Sequence, residues 1–259
     1  MLEIRHLTKR FRGPAVVDDV SFDVRPGEIT GYLGPNGSGK STTVKILTGL
    51  LHASSGHIYY GGQNVSDDPV AFRRRLGYVP EEPNLYGYLT GLEYLELAGG
   101  LRGLPTPLVT QRANRLLELL YLEDARWLAI SNYSKGMKQR VLIAAALLHD
   151  PDVLIFDEAQ SGLDITNSLL FRHLMRELAG QGKAVLYISH ILELVEKVSD
   201  HIVVIHKGRI VADDSVSNLR TLMQRPSLEG VFIQLVQQDD LEARAKAIAS
   251  AIAHSLIKQ

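Results

Sequence analysis

The sequence predicts an α/β fold built on a parallel β-sheet with helices on both faces. Short apolar runs at residues 152–157 and 183–188 end in polar residues and are separated by a helix-like segment from Thr166 to Ala179. Strands buried on both faces read as such continuous apolar runs. A glycine-rich stretch, GPNGSGKST at residues 34–42, also lies between a strand-like and a helix-like segment. Functional groups are therefore expected at the carboxyl ends of the strands.

Composition is that of an ordinary globular protein. The 259 residues are 45% hydrophobic and 22% charged, enough for one large domain or two small ones. With 28 basic and 29 acidic residues, the charge balance gives no reason to expect a nucleic-acid partner. The absence of cysteine excludes disulfides and cysteine-ligated metals, and it fits a cytoplasmic protein.

Neither an export signal nor a membrane span is expected. The first residues alternate apolar and polar side chains and lack the apolar core of a signal peptide. The longest apolar run, Val141 to Leu148, is far shorter than the roughly 18 to 20 residues that cross a bilayer.

The first seventy residues mix antiparallel strands with one strand-loop-helix unit. Strands are predicted at Leu2–Leu7 and Val16–Val24, joined by a turn at Phe11–Pro14. The helix after the glycine-rich stretch is expected to end near Gly49. A further strand at residues 57–60 leads into a tight Gly-Gly turn.

The middle of the chain predicts a helical subdomain at about residues 90–148. A short strand at residues 75–80 and a loop at residues 81–84 precede it. Within the helical pattern we expect a break at Gly99-Gly100 and a Pro-rich turn at residues 104–107.

The last third closes the sheet and ends in a tail. Residues 203–206 and 209–212 predict a hairpin. We expect the first domain to span residues 1–225 and a C-terminal tail to span residues 226–259. Apolar residues recur at steps of three and four from Leu241 to Leu256, which predicts an amphipathic helix. That helix could dock on its own domain or contact a partner.

The glycine-rich stretch has the phosphate-binding pattern of a P-loop: glycine, four residues, then Gly-Lys-Ser. Glycines let successive N–H groups converge on phosphate oxygens at a helix N-terminus. Lys40 would neutralise the outer phosphates, and Ser41 would hold a magnesium ion. The predicted nucleotide-binding residues here are Gly34, Pro35, Asn36, Gly37, Ser38, Gly39, Lys40, Ser41 and Thr42.

A carboxylate pair follows the apolar strand at residues 153–156. Asp157 would hold magnesium through water, and Glu158 would polarise the water that attacks a phosphate. The same pair could also mark a surface turn.

The order of five motifs resembles the ATP-binding cassette family. After the P-loop come a Ser-x-Gly helix start at residues 134–136, the Asp-Glu strand, Ser-Gly-Leu-Asp at residues 161–164, and Ser-His at residues 189–190. The resemblance covers about Leu2 to Asp213. It implies a P-loop NTPase cassette with a RecA-like parallel-sheet core, an N-terminal antiparallel β subdomain and an inserted α-helical subdomain.

The resemblance also implies site roles in a head-to-tail dimer that encloses two ATP molecules. Ser134 and Gly136 would act in trans on the γ-phosphate held by the partner. His190 would contact that phosphate and the water held by Glu158, so the implied catalytic residues are Glu158, His190 and Lys40. Asp164 would organise the subunit interface. Phe11 would stack on adenine, or would be a turn aromatic.

Two positions depart from the family pattern. Lys135 stands where the family usually has glycine, and it would either strengthen γ-phosphate binding or point to solvent. Glu81 stands where the family usually has glutamine, and a carboxylate there can still bind magnesium. The implied metal ligands are therefore Ser41, Glu81 and Asp157, with ATP and Mg²⁺ as cofactors.

With these two departures and with the residues at 82–86 and 227–232, the sequence resembles the cassette subunits of ABC-2-type exporters. The resemblance implies an ATPase that couples closure of a homo- or heteromeric cassette dimer to a separate permease, at the inner face of the cell membrane. The loop from Glu81 to Thr90 would help to form the permease groove. Tyr86 and Tyr88 would contact the permease or pack within the subdomain.

Two alternative functions remain open from the sequence. One is a soluble cassette acting on DNA or the ribosome, but no long coiled coil fits between Ser41 and Asn132, and no nucleic acid is expected. The other is a regulatory cassette that binds ATP and hydrolyses it slowly, which Glu81 and Lys135 would favour.

Overall fold

The structure is a computed structural model. It describes residues 1–222 together with Ser227, Gly230, Phe232 and Ser250. The expected domain boundary after residue 225 and the predicted helix from Leu241 to Leu256 lie outside the described residues, and both stay predictions.

Ten strands and eight α-helices make up the described part of the chain. The strands are β1 (Leu2–Arg10), β2 (Ala15–Val24), β3 (Ile29–Leu33), β4 (Ser55–Tyr60), β5 (Gln63–Asn64), β6 (Leu76–Val79), β7 (Val153–Asp157), β8 (Ala184–Ile188), β9 (His201–His206) and β10 (Arg209–Ser215). The helices are α1 (Lys40–Leu47), α2 (Pro69–Arg75), α3 (Gly91–Leu101), α4 (Thr106–Leu119), α5 (Lys135–Leu147), α6 (Ile165–Gly180), α7 (Leu192–Val198) and α8 (Val216–Leu222). A short 3₁₀ turn lies at Ile130–Asn132.

Two sheets confirm the predicted α/β fold class. The first is antiparallel, in the order β2-β1-β4-β5, and forms the N-terminal β subdomain. The second has the order β10-β9-β3-β8-β7-β6; its strands β9 to β6 pair in parallel, and only the β9–β10 hairpin is antiparallel. The non-consecutive order places β3, which leads to the P-loop, at the centre of this sheet.

Alternate residues of the central strands enter two hydrophobic cores. On β7, Val153 and Ile155 pack in one core with the antiparallel sheet and α1, whereas Leu154 and Phe156 pack in the other with helices α3 to α7. Successive side chains of a strand point to opposite faces, so a strand that is buried on both sides is apolar throughout. This explains why the apolar runs identified the strands correctly.

The predicted break at Gly99-Gly100 is wrong, because α3 runs without interruption through both glycines. A Cβ on Gly99 would lie 2.6 Å from the methyl groups of Val109 on α4. The glycine therefore lets two antiparallel helices approach closely, and packing outweighs its low helix propensity.

Helix α2 was not predicted from the sequence. It begins after Asp68, whose carboxylate accepts a hydrogen bond from the Ala71 N–H at 2.9 Å, and Pro69 occupies its first position. An Asp-Pro pair before an apolar residue is a helix-start signal that could have identified it.

No helix among the described residues is long and apolar enough to span a bilayer.

Replacing Thr90 tests the start of the helical region. Thr90 accepts a hydrogen bond from the Glu93 N–H, and Glu93 accepts one from the Thr90 N–H, which together form a capping box. We expect Thr90→Ala to lower the free energy of unfolding by about 1 kcal/mol in urea titrations. Thr106→Ala is the matched control, because the exposed Thr106 starts α4 without a side-chain cap, and it should change stability by less than about 0.5 kcal/mol. Equal losses in both variants would contradict the capping role.

Candidate functional site

The P-loop connects the end of β3 to the start of α1. No side chain caps the first turn of α1, whose N-cap residue Gly39 has φ 111°. The free N–H groups and the helix dipole therefore face the loop, which is the arrangement that favours an anion. The geometry matches what the glycine pattern predicts.

At two positions of this loop, neighbouring backbone atoms leave space only for glycine. A Cβ on Gly34 would lie 2.3 Å from the carbonyl oxygen of Ile205 on β9. A Cβ on Gly39 would lie 2.7 Å from the carbonyl oxygen of Val16 on β2. The loop is thus wedged between the two sheets, and a side chain at either position would push it out of place.

Further contacts support the loop from behind, and the sequence analysis did not identify them. The Tyr32 hydroxyl donates to Thr43 Oγ1 at 3.2 Å, and Thr43 Oγ1 donates to the Gly39 carbonyl at 3.1 Å. The Gly208 N–H, in the β9–β10 turn, donates to the Ser38 carbonyl at 2.9 Å. No sequence motif marks these partners, since they come from separate elements.

Lys40 bends back over its own loop. Its ammonium donates to the carbonyl oxygens of Gly34 at 2.7 Å and Pro35 at 3.1 Å. Burial lowers the pKa of Lys40, while the carboxylates of Glu158, Asp157 and Glu81 oppose that shift. The lysine and the three predicted carboxylates are therefore electrostatic neighbours, as expected of one site.

Asp157, the last residue of β7, is only 7% exposed. Burial, followed by the like charges of Glu81 and Glu158, raises the pKa of Asp157 to about 6, while Lys40 acts in the opposite direction. Concentrated negative charge of this kind favours a cation nearby.

The oxygen donors suit magnesium shared with a ligand. Within the described part of the chain, no three His, Cys, Asp or Glu side chains are arranged to hold a metal ion by themselves. Mg²⁺ is commonly held by one or two carboxylates together with phosphate oxygens and water, so such a protein cage is not needed. Asp157 and the exposed hydroxyl of Ser41 are oxygen donors of the required type.

Glu158 is held in place by the residues that follow β8. Its oxygen Oε1 accepts the His190 N–H at 2.8 Å and lies 2.7 Å from His190 Nδ1, and Oε2 accepts the Ser189 hydroxyl at 3.3 Å. Glu158 itself has φ 49°, a left-handed conformation that is uncommon for a residue with a side chain. Ser189 is a site residue for which the sequence analysis named no role, although it directly precedes His190.

The predicted trans-acting residues form a second cluster. Ser134 is the N-cap of α5 and accepts the Met137 N–H at 3.2 Å. Lys135 is exposed, and its ammonium donates to Ser161 Oγ at 2.8 Å rather than to the P-loop of its own chain. Asp164 caps α6 by accepting the Asn167 N–H at 2.8 Å. None of these contacts reaches the P-loop of the same chain.

Phe11 lies in the turn between β1 and β2 and is 59% exposed. The Lys9 ammonium is 5.2 Å from the centre of its ring. The ring is thus free of the core and available for stacking, while the cation can interact with its π face. Its assignment to adenine stays a prediction.

Comparisons with known proteins give a consistent result. Residues 17–161 match the family model described as ABC transporter. The Nod factor export ATP-binding protein I of Cupriavidus metallidurans is 35% identical over 213 residues, which cover 82% of this chain and 70% of that protein.

Solved structures agree with that match. The ATP-binding subunit of an ABC transporter superposes with a TM-score of 0.85 at 35% identity, covering 90% of this chain and 98% of that one. A dimeric structure of the ATP-binding cassette MJ0796, in a post-hydrolysis state with ADP and Pi bound, has a TM-score of 0.77 at 25% identity, covering 83% and 98%.

The raised pKa of Asp157 predicts how stability depends on pH in protein free of metal and nucleotide. An acid with a pKa of about 6 in the folded state and about 3.9 when unfolded makes the free energy of unfolding fall as pH rises from about 4 to about 6. We expect Asp157→Asn to be more stable than the parent at pH 8, by on the order of 2 kcal/mol, and the difference to shrink toward pH 4.

Urea unfolding across this pH range provides the measurement. Asp67→Asn, at an exposed carboxylate of the loop before α2, is the control and should leave the pH dependence unchanged. A stability difference that stays the same from pH 4 to pH 8 would show that Asp157 does not titrate as described.

Proposed function

This chain belongs to the ABC transporter family as an ATP-binding and ATP-hydrolysing cassette, and we propose that it powers an exporter through a separate membrane permease. The observation that carries the catalytic part is one cluster: Lys40, Asp157, Glu158 and His190 lie together beside a P-loop in which Gly34 and Gly39 have no space for a side chain. A generic phosphate loop would not require a carboxylate held by histidine beside it.

ATP binds with its phosphates over the start of α1. Lys40 turns from the carbonyls of Gly34 and Pro35 toward the outer phosphates, which replace those hydrogen bonds by charge-assisted ones. These features support triphosphate binding at this loop.

Magnesium would be held by Ser41, Asp157 and Glu81 with phosphate oxygens. When bound, the ion supplies charge neutralisation at the phosphates. The raised pKa of Asp157 supports this assignment, since a cation would relieve the repulsion among the carboxylates.

Glu158 orients and polarises the water that attacks the γ-phosphate. Its left-handed backbone and its bonds from His190 and Ser189 fix the carboxylate before substrate arrives. Such preorganisation positions the nucleophile without reorganisation during the reaction. His190 contacts the γ-phosphate from the end of β8.

A second cassette completes each site. Ser134 and Gly136 start α5 and do not contact the P-loop of their own chain, yet they present an exposed helix N-terminus. In a head-to-tail dimer, each helix start closes on the ATP of the partner, as the dimeric cassette relative suggests. Asp164, which caps the neighbouring helix α6, lies at that interface.

The permease docks in a groove between α2 and the helices α3 and α5. The groove measures about 470 Å³ and is lined by apolar and basic side chains: Val70, Arg73, Arg74, Tyr78, Tyr94, Ala98, Leu101, Arg102, Leu142, Ala145 and Ala146. Leu101, which is 80% exposed, adds apolar surface to this groove. Tyr88, Tyr86 and Tyr94 form a row of neighbouring rings that leads into the groove.

The proposed export direction is supported by the name of one relative, and the proposed location depends on the proposed permease partner. The Nod factor relative is named as an export protein, and the residues that distinguish this chain resemble exporter cassettes. The protein then lies on the cytoplasmic side, held at the inner face of the membrane by its permease.

Glu158→Gln tests the base assignment in the complex of this chain with its permease. We expect ATP hydrolysis to fall by at least about 100-fold, because the amide cannot accept the proton of water. ATP should remain trapped in a stable cassette dimer, detected by size-exclusion chromatography with bound-nucleotide analysis. Glu118→Gln, at an exposed carboxylate on α4, should retain parental turnover. Parental turnover in Glu158→Gln would reject the assignment.

Tyr88→Ala tests permease docking at the exposed end of the row of tyrosine rings that leads into the groove. Tyr88 is 78% exposed, and truncation of an aromatic hot spot weakens binding by about 2 kcal/mol or more, hence about 30-fold. Binding to permease in detergent or nanodiscs, followed by biolayer interferometry, should show this loss. Tyr121→Ala, another exposed tyrosine outside the groove, should bind as the parent does. Equal weakening in both variants would argue against docking at this groove.

A further inference from the structure

Lys135 links the start of α5 to the loop that follows the catalytic strand. Its ammonium donates to Ser161 Oγ at 2.8 Å, across 26 residues of sequence. Its aliphatic stem covers Gly162, since a Cβ built there would lie 2.9 to 3.0 Å from the Lys135 Cγ and Cδ atoms. One side chain thus makes both a polar and a packing contact with residues 161–162.

The backbone at the start of α5 also contacts the backbone of the loop after β7, at Gly136 and Gly162. A Cβ on Gly136 would lie 2.5 Å from the Gly162 carbonyl oxygen, and Gly162 has φ +83°, a conformation that glycine adopts without strain. Helix start and loop are therefore in direct contact, and the Lys135 side chain lies over that contact.

The loop is in turn tied to Glu158. The Ser161 N–H donates to the Glu158 carbonyl at 2.8 Å, and the Leu163 N–H donates to the Gln160 carbonyl at 3.1 Å. The first of these turns connects Ser161 directly to the backbone of Glu158, and the second continues the chain toward Asp164. A displacement of Ser161 would be transmitted to the residue that orients the attacking water.

We propose that Lys135 is a positioning residue that couples the two ATP sites of the cassette dimer, and this rests on the proposed function above. In that dimer, the start of α5 acts on the ATP of the partner, whereas Glu158 acts on the ATP of its own chain. Lys135 joins these two parts within one chain through Ser161. When the start of α5 closes on the ATP of the partner, Lys135 and Ser161 therefore position Glu158 beside the ATP of its own chain.

This role differs from that of a phosphate ligand. If Lys135 bound the γ-phosphate, its replacement would weaken ATP binding, and replacement of Ser161 would have no such effect. A lysine that positions Ser161 affects turnover, and it has no further effect once Ser161 Oγ is gone. The bond is exposed to solvent, so its contribution is modest.

Steady-state kinetics of the permease complex separate the two roles. We expect Lys135→Met and Ser161→Ala each to lower kcat about three- to tenfold, with KM for ATP within about twofold of the parent. The double variant should be no slower than either single one, because both remove the same bond. Lys135→Arg keeps a donor and should recover most of the turnover.

Two kinetic outcomes would overturn the proposal. One is a raised KM in Lys135→Met with parental kcat and a neutral Ser161→Ala, which indicates a phosphate ligand. The other is additive losses in the double variant. Lys138→Met is the matched control, since Lys138 lies in the first turn of the same helix and its side chain has no hydrogen-bond or ion-pair partner among the described residues.

Hydrogen exchange tests the link without any ATPase activity. In the nucleotide-free chain, the Ser161 and Leu163 amides should exchange faster in Lys135→Met than in the parent or in Lys138→Met. Unchanged exchange would refute the link. If the parent complex lacks ATPase activity while the exchange changes as expected, the proposed function fails and the contact itself stands.

Discussion

The position of the P-loop depends on how closely two sheets approach it. Carbonyl oxygens of Ile205 and Val16 leave no space for a side chain at Gly34 or Gly39. The β9–β10 turn joins the same assembly, since the Asp18 N–H donates to the Gly208 carbonyl and the Gly208 N–H donates to Ser38. The loop is therefore shaped by the docking of the antiparallel sheet on the parallel one, and its geometry belongs to the tertiary structure as much as to the glycine pattern.

Charge at the loop is arranged for a ligand that brings both phosphates and a cation. Lys40 is held by carbonyls of its own loop, and the charges of Glu81 and Glu158 help to raise the pKa of Asp157. Burial raises the pKa of Asp157 and lowers the pKa of Lys40. Both shifts have one cause, because a low-dielectric site disfavours the charged form of each side chain. In the proposed function, the phosphates of the nucleotide would balance Lys40 and a magnesium ion would balance the carboxylates.

The second cluster supports the proposal that a second cassette completes each site. The start of α5 and the loop before α6 contact one another and leave their polar groups accessible, away from the P-loop of their chain. The contact between Lys135 and Ser161 makes these two segments one unit. Assembly of two chains would therefore bring a preformed surface, rather than separate loops, to each nucleotide.

The sequence alone determined the strands of the central sheet, the P-loop, the carboxylates after β7 and the Ser-His pair after β8. Each of these features is a pattern of neighbouring residues, either a short motif or a continuous apolar run. Only the tertiary structure decided the features that depend on distant neighbours. Gly99 continues its helix because Val109 packs against it, Ser189 joins the site because Glu158 lies opposite, and Lys135 hydrogen-bonds to Ser161, which is 26 residues away in the sequence. The physical reason is that a side chain's partner is set by how elements pack, and packing brings together residues that no sequence window contains.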